Sequence, residues 1–169
     1  LYVRVNRADF DEWGDAGCSG WGYEDVLPYF KKAEHQERGA DEFHGVNGPM
    51  WVSDAPGDSL SRTFIAATRE RGLPQNPDFN GREQEGFGRF QTSTRKKKRH
   101  SSARAYLDPA RTRKNLRIIT RARATRVEIR DGRVAGVHYA VGNRSKYIAA
   151  SKEVILCGGV FNSPQLLEL

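Results

Sequence analysis

Nothing in this 169-residue sequence is long and apolar enough to cross a bilayer: no run approaches the roughly 20 apolar residues that a membrane helix needs. Apolar residues make up only 37% and the mean hydropathy is −0.72, low for a self-contained globule. Cysteine is nearly absent. Cys18 and Cys157 stand far apart, in neither a CxxC nor a metal-ligand spacing. That argues against a disulfide scaffold and points to a reducing, cytoplasmic compartment. Peripheral membrane association stays open, although nothing indicates it. His35, His44, His100 and His138 are scattered, no two of them at the short spacing of a zinc site, so no metal is assigned. A phosphate-binding loop, a complete G-x-G-x-x-G after a strand and a G-x-S-x-G elbow are all missing. His100 and Ser101 are adjacent and so point different ways, which reads as a surface pair rather than a nucleophile with its base.

Charge, by contrast, is abundant and uneven. The chain carries a net +7, yet residues 95–133 alone hold 15 basic and 3 acidic side chains. Such a patch could attract nucleic acid or an anionic surface. Its basic residues interleave with Ile118, Ile119, Ala122 and Ala124 as in an ordinary strand, so the patch reads as a solvated loop and outer strand faces, without nucleic acid as a partner. With 29% charged residues and 17 glycines, the composition suits either a loop-rich soluble fold or a chain that buries part of its surface against something else. The length suits one domain of ordinary size.

Periodicity predicts short helices over residues 8–16, with Asp9 as N-cap, and over residues 23–34, with Pro28 tolerated near the first turn. A strand is expected at 49–53. An amphipathic helix at 59–71 would turn Leu60, Phe64 and Ile65 inward, with Gly72 at its C-terminus. Another strand is expected at 87–94 and a helix at 101–111. Strand-like segments follow at 116–119, 124–130, 134–141 and 147–150, with Asp131-Gly132 the clearest hairpin signal. Asp9, Asp11, Glu12 and Asp15 read as solvated helix charges, and Trp13, Trp21 and Trp51 as core anchors.

The last element is the most informative. Lys152 to Cys157 is a continuous apolar strand of the kind buried in a parallel sheet, and it runs into Gly158-Gly159 and a helix expected to start at Ser163-Pro164. Glycines there let a ligand approach the backbone, and the following helix offers free N–H groups and a positive dipole end. That geometry suits a dinucleotide at the carboxyl edge of a sheet. A tight turn is the plainer account of the same two glycines.

Tyr2-Val3-Arg4, Ala8 to Trp13, Gly20 to Lys32, Phe43-His44-Gly45, Asp78 to Gly81, Gln84-Glu85-Gly86, Ser101 to Leu107, Asn115-Leu116, Val154 to Gly159 and Asn162 to Leu167 resemble, in order, blocks of the glucose–methanol–choline (GMC) oxidoreductases, especially the choline dehydrogenase-like branch. The resemblance implies a mixed α+β and α/β fold: an internal fragment of a two-domain flavoprotein, with part of a Rossmann-like FAD domain and part of a mixed-sheet substrate domain. Residues 1–39 would be a helical segment after the FAD-binding N-terminus, 40–105 a portion of the substrate domain, and 106–169 a return into the FAD domain. Implied cofactor contacts are Ala124, where the family commonly has Val, and Cys157, Gly158 and Gly159. Val160 stands where a small residue is usual, and Lys96 to Lys98 where a Gly is common. The implied chemistry is oxidation of a small-molecule alcohol by hydride transfer to FAD. No residue matches the family's catalytic His, so no catalytic residue is assigned, and the remainder of the enzyme is the expected partner. Both ends read as cuts through structured sequence. The alternatives are a non-catalytic remnant or assembly subunit that needs a complementary chain, and a basic nucleic-acid-binding module.

Overall fold

A computed structural model describes residues 1–168. The chain falls into two compact units, Leu1–Arg113 and a second from Lys114 onward. The stretches expected as helical segment (1–39) and substrate-domain portion (40–105) both lie in the first.

The first unit opens with two helices, α1 (Arg7–Asp15) and α2 (Tyr23–Ala33). Asn6, not Asp9, caps α1 by accepting the Ala8 N–H. Gly22 precedes α2 and offers no side chain, so the cap comes from α1: Asp11 accepts the Tyr23 N–H at 2.9 Å. Of the acids read as solvated, Asp11 therefore has a structural task. Phe10, Tyr23 and Leu27 are buried where the helices meet, with Val26, Phe30 and Phe43 against them. Trp13 and Trp21 are about half exposed and meet edge to face, while Trp51 is half-buried, so the tryptophans are not the core anchors expected.

Three short strands follow: β1 (Glu34–Gln36), β2 (Met50–Asp54) and β3 (Gln91–Thr92). β1 pairs parallel with β2, and β3 antiparallel. Gly45 and Gly48, in the intervening loop, press against the backbone at Lys31 and at Ala33–Glu34, where a Cβ would have no room. Between β2 and β3, α3 (Ser59–Glu70) is capped by Asp58 and ends at Gly72, whose φ is +70°. Its buried residue is Thr68, while Leu60 and Phe64 face outward, contrary to the expected inward stripe. β4 (Thr94–Arg95) and β5 (Lys98–Arg99) form a hairpin. A π-helical turn (Ala103–Leu107) and α4 (Asp108–Ala110) replace the helix expected at 101–111.

The interior of this unit is more polar than apolar. Arg4, Glu34, Gln36, His44, Asn76, Asn80 and Gln91 are all buried. Arg4, Glu34 and His44 form, with the partly exposed Asp78, a line of alternating charge. Arg4 Nη2 donates to Glu34 at 2.6 Å, and His44 donates from Nδ1 to Glu34 at 3.1 Å and from Nε2 to Asp78 at 2.8 Å. Asn80 extends the network, accepting the Arg4 N–H at 2.7 Å and donating to Tyr2 O and Gln91 Oε1, each at 3.1 Å. Asn76 donates to the carbonyls of Glu83 and Glu85, so side chains rather than ladders organise the turn-rich 73–88 stretch. Arg4 Nε and Gln91 Nε2 are the buried side-chain donors left without an acceptor among the described residues.

In the second unit, β6 (Ala122–Arg130), β7 (Arg133–Val141) and β8 (Arg144–Ala149) form an antiparallel meander. The Asp131-Gly132 turn is as expected, with both φ values positive. Residues 116–119 and 152–157 form no strand, and Ile118, Ile119 and Ile155 are exposed. Both segments have strand-like sequence, but neither meets a neighbouring backbone to complete a ladder. α5 (Gly159–Glu168) follows the sheet. Gly136 is the one fully buried residue of this unit among those described, so its apolar side chains enclose no core of their own.

Burial by itself pushes His44 down, but hydrogen bonds to Asp78 and Glu34, and their charge, outweigh it and lift its pKa from 6.5 to about 9. A raised folded-state pKa contributes stability that is fully present below 6.5 and is lost as the pH climbs to about 9. Burial would raise Asp78, yet the His44 and Asn80 hydrogen bonds bring it below its ordinary value, so its contribution is lost only in acid. Urea unfolding followed by far-UV circular dichroism should therefore show the first unit losing up to about 3 kcal/mol from neutral to alkaline pH. In His44→Gln the alkaline slope should vanish; if the slope persists, another group carries it. His44→Ala should cost about 3 kcal/mol, because it leaves the buried Glu34 and the half-buried Asp78 facing an empty space.

Candidate functional site

The residues singled out from the sequence, Ala124, Cys157, Gly158 and Gly159, lie in the second unit, around the start of α5. Gly159 takes φ +84°, a left-handed value that glycine adopts without strain. Gly158 has a different reason to be glycine. A Cβ there would come within 3.0 Å of Asn162 Cβ and 3.2 Å of Ser163 N. The Gly158 N–H donates to Ser163 Oγ at 2.9 Å, and its carbonyl accepts from Asn162 Nδ2 at 3.0 Å. The helix thus folds back on the glycine pair, beginning at Gly159 and not at the expected Ser163-Pro164. Ser163 reaches back to an N–H ahead of the helix instead of capping a later start. Pro164 falls inside α5, where its missing N–H removes one helical bond.

A cleft of about 700 Å³ lies between this turn and β6, lined by Ala124, Gly158, Thr125, Asn162 and Leu166 among others. A register shift between Ala124 and Arg126 makes Thr125 the extra residue of a β-bulge at the rim, a device that re-aims backbone and side chains beside sites. The structure brings Ala124 and Gly158 to one cleft. Cys157 and Gly159 flank Gly158 in the chain, are exposed, and do not line it. Cys18 and Cys157 are both free thiols.

The donor set suits a nucleotide more than a reacting centre. A volume of this size falls within the range of about 300–1,000 Å³ usual for cofactor sites. Small side chains and bare backbone let a flat ring and its ribose approach closely, and the first-turn N–H groups of α5 carry the positive end of the helix dipole. Arg123 is the one cation among the lining residues. These features fit the nucleotide part of FAD.

Groups able to move a proton are engaged elsewhere. His44 is protonated at neutral pH and donates from both ring nitrogens, so it has no lone pair with which to accept a proton. His100 Nδ1 accepts the Trp51 backbone N–H at 3.3 Å. His35 stacks on Trp51 at 3.9 Å. His138 Nε2 lies 3.1 Å from Glu128 Oε2 in the β6–β7 ladder. The Glu34–His44–Asp78 cluster went unread in the sequence because its members are 10 and 34 residues apart and form no motif. The only hint was the charge of residues that the fold proves to bury.

Nor does any described helix have the length and apolarity to cross a membrane, and no group of three or more His, Cys, Asp or Glu that could hold a metal occurs among the described residues.

Comparison with known proteins identifies the family. A family model described as GMC oxidoreductase matches residues 1–169. The oxygen-dependent choline dehydrogenase of Xanthomonas campestris pv. campestris (strain B100) is 44% identical over 173 residues, covering 99% of this chain and 31% of that protein. The enzyme of the same description from Sinorhizobium fredii (strain NBRC 101917 / NGR234) is 42% identical over 170 residues, covering 100% of this chain and again 31% of its own length. The chain thus spans about a third of the length of these curated relatives. Among solved structures, pyridoxine 4-oxidase from Mesorbium loti superposes with a TM-score of 0.89 at 32% identity, over 98% of this chain and 33% of that one. An FAD-dependent oxidoreductase from Chaetomium thermophilum gives 0.78 at 26% identity, over 90% of this chain and 29% of that one. The chain belongs to the GMC oxidoreductase family.

Proposed function

We propose that this chain is part of an FAD-dependent alcohol oxidoreductase that converts an alcohol to an aldehyde, and that by itself it is inactive. The observation that carries the reading is the openness of the second unit in a chain matched along its whole length by flavoenzyme relatives about three times longer. Ile155, Val160, Phe161 and Leu167 are all more than two-thirds exposed, and residues 153–157 have strand character but no partner strand. Apolar surface of this extent marks a face meant to be covered. In this reading the cover is the remainder of the enzyme, which adds strands beside 153–157 to complete a Rossmann-like FAD domain. The first unit supplies part of a mixed-sheet substrate domain.

FAD, when bound, supplies the two-electron sink that takes a hydride from the alcohol carbon. The residues of this chain bind and orient. Ala124 and the bulge at Thr125 wall the nucleotide, and the backbone from Cys157 to Gly159 passes beside it. None of the four histidines serves as base, so the hydroxyl proton goes to a group in the remainder. Choline is the alcohol to try first, since the curated relatives named above act on it.

Two measurements test this. The purified chain mixed with FAD and passed through gel filtration should emerge without visible flavin bands; retained bands would overturn the dependence on a remainder. In a polypeptide extended to the relatives' full length, Ala124→Trp should weaken FAD binding at least about tenfold, or roughly 1.4 kcal/mol, while the thermal unfolding midpoint holds. Unchanged binding would remove Ala124 from the cofactor site.

A further inference from the structure

The β4–β5 hairpin carries an arrangement that the flavin reading leaves unused. Its two-residue turn, Lys96-Lys97, has φ +49° and +62°, with Arg95 paired to Lys98 across it. Left-handed values at both central positions define the turn that strongly prefers Asn-Gly. Lysine at both positions is locally unfavourable, and turn geometry gives no reason for it. Arg95, Lys96, Lys98, Arg99 and Arg104 line an open cleft of about 520 Å³ together with His100. The one acid in its wall, Asp108, is taken by Arg111 at 2.9 Å. None of the five cations makes an ion pair with another described side chain.

Two of the groups are also held in place. Arg95 lies with its guanidinium 4.9 Å from the centre of the Trp51 ring, which fixes a long side chain that would otherwise wander. His100 Nδ1 accepts the Trp51 N–H, so the neutral ring carries its proton on Nε2 and offers a donor there. A solvated charged face needs neither the held groups nor the concavity.

We propose that this cleft binds a small phosphate-bearing anion, with Lys96, Lys98, Arg99 and Arg104 supplying charge, Lys97 adding to the field from the turn beside them, and Arg95 and His100 supplying oriented donors. The size of the cleft favours a compact polyanion over an extended nucleic-acid strand. Free phosphates and lipid headgroups share this chemistry. The inference is independent of the flavin site.

The test titrates the chain with inorganic pyrophosphate, by calorimetry and by backbone NMR, at low and high salt. Binding should saturate, shift the resonances of residues 95–100, and weaken steeply with salt. The double variant Lys96→Asn, Lys97→Gly removes two charges while giving the turn its preferred residues, so the hairpin should keep or gain stability. Its affinity for pyrophosphate should fall about tenfold. Equal affinity in the variant, or no saturation in the wild-type chain, overturns the proposal. Vesicles containing phosphatidylglycerol separate the two sources. Vesicle binding that pyrophosphate displaces identifies a lipid headgroup, and pyrophosphate binding without vesicle binding identifies a free phosphate. A single-stranded oligonucleotide that binds at the patch without competition from pyrophosphate also overturns the proposal.

Discussion

The first unit depends on a chain of alternating charge, Arg4–Glu34–His44–Asp78, buried in all but its last member. Each charge taken from water incurs a desolvation cost that only a close opposite charge and further hydrogen bonds offset. Here the offsets are supplied in sequence. Glu34 lies between two cations, His44 lies between two carboxylates, and Asp78 also receives the Asn80 N–H. The four residues come from the N-terminal segment, β1, the glycine-rich loop and the turn-rich stretch. The network therefore ties together parts of the chain that share few apolar contacts. This explains how a chain with 37% apolar residues forms a compact unit. It also explains the fixed place of Gly45, which brings its loop against the Lys31 backbone next to His44.

The second unit is built the opposite way. It has a regular meander and a helix, with good ladders, yet almost nothing is enclosed. Hydrogen bonding within β6–β8 is satisfied locally, whereas hydrophobic burial is not, and the two are separable because ladders need only neighbours while a core needs a second layer. Apolar residues on α5 and on the segment before it are left outward. Relatives about three times longer have ample chain to cover them.

What could be read from the sequence follows the range of the forces involved. Asp131-Gly132 and its flanking strands were legible because a left-handed turn and alternation are local. The helices α1 and α2 were legible for the same reason, to within a residue or two at their ends. Residues 116–119 and 152–157 carry a strand pattern without forming strands, since side-chain pattern reports the wish for a sheet and only a neighbour can grant the ladder. The start of α5 was placed late because Ser163-Pro164 mimics a cap, whereas the left-handed Gly159 begins the helix earlier. In the candidate site, Ala124 and Gly158 line one cleft, and periodicity could not reveal the bulge at Thr125. The ion chain was invisible. Its partners are joined by folding alone.

The same ion chain decides what His44 can do. A general base accepts a proton near working pH, and its pKa must lie close to that pH to do so. His44 is the most deeply buried histidine and the one with two carboxylates at hand, the surroundings that elsewhere activate a base. Geometry turns the same feature to another end. With a carboxylate on each ring nitrogen and no outlet to a cleft, the imidazolium is the stable form, and losing a proton would break one of the two hydrogen bonds that hold the unit together. A base needs one carboxylate behind it and a substrate in front. In a residue placed between two, stability and proton transfer compete, and at His44 stability has won. His44 is thus a structural cation of the first unit, fixed in its charged form by the two carboxylates that flank it.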